Sequence, residues 1–399
     1  MSTTTKPATS KLSRNLQITI TLLSDLHIGT GTGLLKGLDW HLYRDGYVYL
    51  ADNNYMTEII LDRALADGKR EETVINTITG LTLNDLVDAG WLTATDFQAP
   101  SKMFRYRLRG QPATVEIREQ IKSVNDELFL PGSSLKGALR TILAGVAAKE
   151  LKPDVTPRAL RDNRFWAAQP VEDQLFGRDP NHDFLRLLQV SDSAAVGHQH
   201  LRLRQAHIYP TAANTSRGRS KGLDIDLETV AAGTQFVASI HIPLELLLPG
   251  NGGFEERRHQ ELQDWARRQP WLERLAFHGR AYARELLIDE VNYFEKRSDV
   301  PAVHHFYSRL ADQFSELAKN QFMVPLGWGG GWHTKTLNHY LTEDPKNFEQ
   351  IASRYRLDPT GDRKVGDPFP KSRHLLRQPN GQPGEPLGWC LVEMISSDQ

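Results

Sequence analysis

The stretch at residues 128–140, LFLPGSSLKGALR, is what most constrains how this chain can fold. A short apolar run meets Pro131-Gly132, and a run of good helix formers follows at once. The backbone must pass from strand to helix across a sharp turn, with Ser133 or Ser134 expected to N-cap a helix continuing through Ala148. The surroundings supply partners for such a unit. Residues 16–28 alternate and are β-branched at first, as a half-buried strand requires. Residues 39–50 read as a hairpin with Asp45-Gly46 as its turn, and residues 185–192, 236–242 and 387–395 read as strands. Helical patterns occupy residues 57–92, residues 255–319 and a segment opening at His333. Strands alternating with helices, with hairpins among them, point to an α+β fold.

The same pattern suggests a division of the chain. Residues 1–14 form a flexible tail, and residues 15–250 an N-terminal domain with a helical insertion at about 55–95 and a basic arm at about 198–222. Pro249-Gly250-Asn251-Gly252-Gly253 marks the boundary to residues 251–399, which carry a glycine-rich loop at 325–332.

Charge narrows the functional classes. There are 48 Lys and Arg against 49 Asp and Glu, a net charge of −1, so a uniformly basic nucleic-acid binder is excluded and any such site must be a local patch. One cysteine, Cys390, rules out an internal disulfide framework and a cysteine-based zinc site. No run approaches the roughly 18–20 apolar residues that cross a bilayer. The N-terminal tail lacks the apolar core of a signal peptide. These readings predict a soluble cytoplasmic protein.

Four places carry candidate chemistry. Gly29-Thr30-Gly31-Thr32-Gly33 fails the dinucleotide spacing because position 34 is Leu34, yet a bare glycine loop admits a phosphate backbone. His27, at the end of the strand beside it, reads either as a histidine bonded to its own loop or as a general acid or base for RNA cleavage. At the helix start, free N–H groups and the dipole favour a phosphate, with Lys136 and Arg140 one turn apart. Residues 198–221 hold Arg202, Arg204, Arg217, Arg219 and Lys221 and no acidic residue, the composition of a phosphate-contacting arm that is mobile when free. Finally, Trp328, Gly329, Gly330 and Lys335 combine aromatic faces, bare amides and a cation, suiting either an RNA backbone with a stacked base or core packing of the tryptophans. His198-x-His200, expected on one face of a strand, the pair His304-His305 and the dipeptide His182-Asp183 are weak metal signals. No metal and no cofactor is assigned. Neither G-x-S-x-G nor GxxxxGK[ST] occurs.

Taken in order, LHIGTG at 26–31, PGSSLKGALR at 131–140, VSDS at 190–193, the glycine block at 325–332 with Lys335, and the strand at 388–393 resemble the signature blocks of the RAMP proteins of CRISPR effector complexes. The long insertion before PGSSLKG and the helical region before the last glycine loop look most like the fifth-subunit family of the type III-A (Csm) complex. That resemblance implies a ferredoxin-like (RRM-like) core, in one copy or two. It further implies a CRISPR RNA-binding subunit that caps the filament at the crRNA 3′ end and assists 3′-end maturation by recruiting a separate host nuclease. Its partners would be the 3′ portion of crRNA, bound target RNA and the other Csm subunits, above all the repeated backbone RAMP subunit. Asp39 sits where target-cleaving backbone subunits carry a catalytic aspartate. About ninety residues separate it from PGSS and Trp40 follows it, both unlike those subunits, so no catalytic role is assigned. The rival readings are a metal-independent CRISPR-repeat endoribonuclease using His27 and a protein-only scaffold.

Overall fold

The computed structural model describes residues 13–68, 82–97, 103–210, 224–248, 259–335, 337–357, 365, 369–370 and 372–396. In chain order the first part runs β1 Arg14–Leu22, β2 Gly29–Leu35, β3 Trp40–Leu42, β4 Tyr47–Ala51, α1 Asn53–Ala66, α2 Leu83–Asp88, β5 Phe104–Arg109, β6 Glu116–Gln120, α3 Gly132–Leu151 and α4 Gln169–Leu175. There follow β7 Gln189–Val190, β8 Leu201–Pro210, β9 Ile225–Val230 and β10 Gln235–Ile242. The remainder is α5 His259–Glu273, α6 Leu275–Glu295, α7 Pro301–Ser315, β11 Gln321–Pro325, α8 Asn338–Thr342, α9 Pro345–Arg354, β12 Ser372–Arg377, β13 Pro383–Pro386 and β14 Trp389–Ser396. The architecture is α+β, as the sequence pattern requires.

A five-stranded antiparallel sheet, ordered β11-β14-β1-β10-β7, forms the centre. Alternation explains β1: Leu16, Ile18, Ile20 and Leu22 are buried on one face while Gln17, Thr19 and Thr21 lie on the other. That apolar face meets Leu135, Leu139, Ile142 and Leu143 of α3. A six-stranded sheet, ordered β13-β12-β8-β9-β6-β2, lies beside it, antiparallel except where β6 pairs with β9. A small sheet, β3-β4-β5, turns Val48 and Leu50 into the main core and Tyr49 and Phe104 toward Met56, Ile60, Leu83 and Leu86 of α1 and α2. A second helical core joins α6 and α7 through Leu286, Phe294, Val303 and Phe306. Both larger sheets take strands from either side of the expected boundary at 250, and Arg14, placed in the tail, opens β1.

Several expected elements differ. The glycine segment after the first strand is not a loop but β2, an edge strand with a bulge between Gly29 and Gly33. Threonines favour the extended chain and Gly31, at φ +92°, supplies the kink. The strand expected at 16–28 stops at Leu22, and the one expected at 185–192 shrinks to Gln189–Val190 behind a 3₁₀ turn at Phe184–Leu187. The helix expected from His333 is a single 3₁₀ turn, Trp332–Thr334, followed by α8. The first half of the basic arm is strand β8, while Arg217, Arg219 and Lys221 lie outside the described residues. His198 and His200 occupy a 3₁₀ turn, where residues two apart do not share a face.

Candidate nucleic-acid interface

Two glycine segments from opposite ends of the chain meet at one point. The segment Leu26–Ile28 leaves the central sheet and runs beside β9, with Leu26 and Val230 exchanging backbone hydrogen bonds at 2.9 and 2.7 Å. On the other side, the Trp328 N–H donates to the His27 carbonyl at 2.8 Å. Gly327 makes this approach possible: at φ +69°, a Cβ there would sit 2.3 Å from the His27 carbonyl oxygen. The blocks that carry the resemblance include His27, Gly29, Trp328, Gly329, Gly330 and Lys335, and the fold brings these two segments together.

His27 is 2% exposed, and its Nδ1 lies 2.7 Å from the Glu228 carbonyl. A carbonyl only accepts, so Nδ1 carries the proton and Nε2 the lone pair. Burial pulls the ring down to about 4, helped by the nearby cations Arg118 and Lys122. At neutral pH this imidazole has no second proton to give, which suits a histidine bonded to its surroundings better than a general acid.

Beneath it lies a buried polar cluster. The Glu228 side chain is fully enclosed and accepts from Tyr106 Oη at 2.6 Å, Lys122 Nζ at 2.5 Å and the Gln120 N–H at 3.1 Å. Burial pushes the Glu228 carboxyl up, while its lysine and tyrosine partners oppose that shift. With these donors present the desolvated carboxylate is satisfied, and β9 is fixed to β6.

The outer layer of the junction is cationic and aromatic. The Arg118 guanidinium of β6 lies 5.0 Å from the centroid of the Trp328 ring, within cation–π range. The His374 ring of β12 lies tilted against that indole with centroids 4.5 Å apart, and His27 meets it edge-on at 6.2 Å. Burial lowers the His374 ring, with Arg118 and Lys335 adding to the effect. No carboxylate among the described residues is paired with Arg118 or Lys335. The arrangement offers a phosphate one cation held against an indole, Arg118, and one exposed cation, Lys335, beside a strand edge of Gly29 and Gly31.

The start of α3 is built otherwise. Pro131 is the N-cap and makes no side-chain cap, so Ser133 and Ser134 are inside the first turn and not the capping residues expected. Asp192 Oδ1 takes the Gly132 N–H at 2.6 Å, so the chain's own carboxylate occupies the anion position. Gly132 is needed there, since a Cβ would meet the Val190 carbonyl oxygen at 2.4 Å. Lys136 Nζ donates to the Leu185 carbonyl at 2.9 Å, and burial lowers its pKa. Arg140 pairs with Asp183 at 3.0 Å and Glu172 at 3.1 Å over the Phe176 ring.

Three further candidates are engaged within the fold. Arg202 donates to the Gln199 and Leu201 carbonyls, and Arg204 pairs with Asp25 at 2.8 Å. Asp39 Oδ2 accepts the Leu35 N–H at 2.7 Å and so holds the turn between β2 and β3. Sequence reasoning missed Arg118, His374 and Glu228. The alternation in VEIREQIK could have flagged Arg118 as an outward cation, whereas nothing local marks His374 or Glu228.

The RAMP superfamily model matches residues 19–298, more than half the chain. The chain belongs to the RAMP superfamily. A curated relative, the CRISPR system protein Csm5 of Methanocaldococcus jannaschii, is 21% identical over 400 residues, covering 95% of this chain and 89% of that protein. Among solved structures, one chain of a cryo-EM Csm–crRNA–target RNA ternary complex of a type III-A CRISPR–Cas system has a TM-score of 0.64 at 21% identity. That match covers 95% of this RAMP chain and 100% of the other. The crystal structure of T. onnurineus Csm5 has a TM-score of 0.59 at 20% identity, covering 94% and 99%. Among the described residues, no helix of this RAMP protein is long and apolar enough to cross a membrane.

Proposed function

We propose that this RAMP protein is an RNA-binding subunit of a type III-A CRISPR effector complex that holds the 3′ portion of crRNA and caps the filament there. In that role it assists crRNA 3′-end maturation, with the cutting done by a separate host nuclease, and it catalyses no step itself. The similarity to Csm5 and to a chain of a Csm–crRNA–target RNA complex supports membership of such a complex. The connection β1–α3–β7–β10, followed after the helices by β14, gives the order β14-β1-β10-β7, which supports a ferredoxin-like module with β11 added at one edge.

The observation that carries the RNA reading is the junction where the Arg118 guanidinium lies over the Trp328 indole on bare glycine backbone, with the exposed Lys335 seven residues further along. Such a surface reads phosphate and ring faces, not sequence, as a subunit accepting any guide requires. The low pKa of His27 weighs against it as the general acid of the endoribonuclease alternative, and its burial at 2% exposure weighs against either role, acid or base.

The test is RNA retention by the purified chain and by the assembled complex. Arg118→Ala with Trp328→Ala should lower affinity about tenfold or more, uniformly across guide sequences, and reduce the salt slope by about one unit. Unchanged affinity and slope in a folded double variant would sink the assignment of RNA binding to this junction.

A further inference from the structure

A cleft of about 460 Å³ opens between α3–α4 and the C-terminal helices. Its walls are largely aliphatic, with Val171 on one side and Leu341 and Ile351 on the other. Phe165 and Trp332 also line it, and its cations Arg140, Arg164 and Lys335 outnumber its carboxylate, Glu172. Phe165 is 90% exposed and Trp166 beside it 57%. The loop carrying them is tied down. Asn163 accepts the Phe165 N–H at 2.9 Å, Tyr355 Oη donates to the Arg161 carbonyl at 2.6 Å, and Tyr340 Oη donates to the Pro153 carbonyl at 2.9 Å. Two exposed aromatic rings thus stand on an anchored backbone beside an apolar hollow.

We propose that this cleft takes one unstacked base of a single-stranded RNA, and this inference rests on the RNA-binding reading above. Phe165 stacks on the base, the aliphatic walls enclose it, and Arg164 and Lys335 meet the adjoining phosphates. Three observations favour RNA over a partner protein's apolar side chain: the cation excess, the presented ring, and continuity with the glycine junction through Trp332 and Lys335. Arg140 serves the cleft less, because Asp183 and Glu172 already neutralise it.

The experiment is a double-mutant cycle between a side chain and a base. The full chain is titrated with a short uridine oligonucleotide and with the same RNA made abasic at single positions. Phe165→Ala, a change at an exposed site that leaves the fold intact, should weaken binding of the complete RNA about fivefold to a hundredfold, the worth of one base stack. For one abasic position the variant and wild type should bind alike. A 4-thiouridine at that position should cross-link to residues 160–166 or 332–341. If both proteins bind the complete RNA equally well, with the usual salt dependence, the cleft proposal is wrong and the RNA-binding reading stands. If neither binds, both fail. A neighbouring subunit cross-linked into the cleft of the assembled complex would also overturn it, in favour of a protein occupant.

Discussion

At the start of α3, Lys136 and Arg140 face the Leu185 carbonyl, Asp183 and Glu172, and Asp192 fills the helix terminus. At the Trp328 junction, Arg118 lies over an indole and Lys335 is exposed. Both places hold glycines, bare amides and cations in the resemblance-bearing blocks, yet one has spent its charges on the fold and the other has kept them. The difference lies in carboxylates supplied by other segments. A cation next to a glycine turn signals a phosphate site only where the tertiary structure brings no anion of its own.

The sharpest way to break the contrast is to unseat the junction. Gly327→Ala forces a side chain into left-handed backbone and against the His27 carbonyl oxygen, 2.3 Å away. The expected loss is about 3–5 kcal/mol in chemical denaturation, from strain plus overpacking, with RNA retention falling alongside. At Gly31, φ +92° with nothing within 4 Å, alanine should cost only the conformational part, about 1–2 kcal/mol. Equal losses at the two sites would mean that Gly327 is not seated as described.

Acid offers a second handle. The His27 ring titrates at about 4 in the fold against an ordinary 6.5, so between those values the unfolded chain binds more protons. Stability should therefore decline as pH falls from about 6.5 to about 4, by about 3 kcal/mol at the acid end. His333, also pulled to about 4 by burial, adds a similar loss. His27→Gln removes one titrating ring and should flatten the dependence by about 3 kcal/mol over that range. An unaltered profile would show that His27 is not the buried neutral group described.

The smallest effect belongs to the other region. Asp192→Ala should cost about 1 kcal/mol, the worth of a helix N-terminal acceptor, and leave RNA retention untouched. Lys136→Ala with Arg140→Ala should likewise lower stability slightly and leave the salt slope in place. A fall in that slope would restore the helix start as a phosphate contact.

How far the sequence carried these conclusions depended on range. The hairpin turning at Asp45-Gly46, the long helix after Pro131-Gly132 and the last strand were legible because turn chemistry and periodicity act within a few residues. The strand identity of the Gly29–Leu35 segment was hidden because glycine has poor strand propensity, and only the edge position beside β6 makes it extend. Residues 372–377 and 383–386 carry no strand alternation either, being SRHLLR and PGEP, yet they form β12 and β13. Helix capping by Ser133 or Ser134 was sound local chemistry, overruled by an aspartate sixty residues away. Arg118 against Trp328 joins residues more than two hundred positions apart, which no local pattern reports.

The pairing of β14 with β1 has a consequence for how the chain is made. During synthesis β1 can zip to β10 once residue 242 has emerged, but its other edge waits for residues 389–396. At typical elongation rates that interval is roughly ten to thirty seconds, in which the backbone amides of β1 line an unprotected edge. The polar alternation of Gln17, Thr19 and Thr21 then matters most in the newborn protein, because it leaves that open edge with only one apolar face to offer a neighbouring ribosome's product.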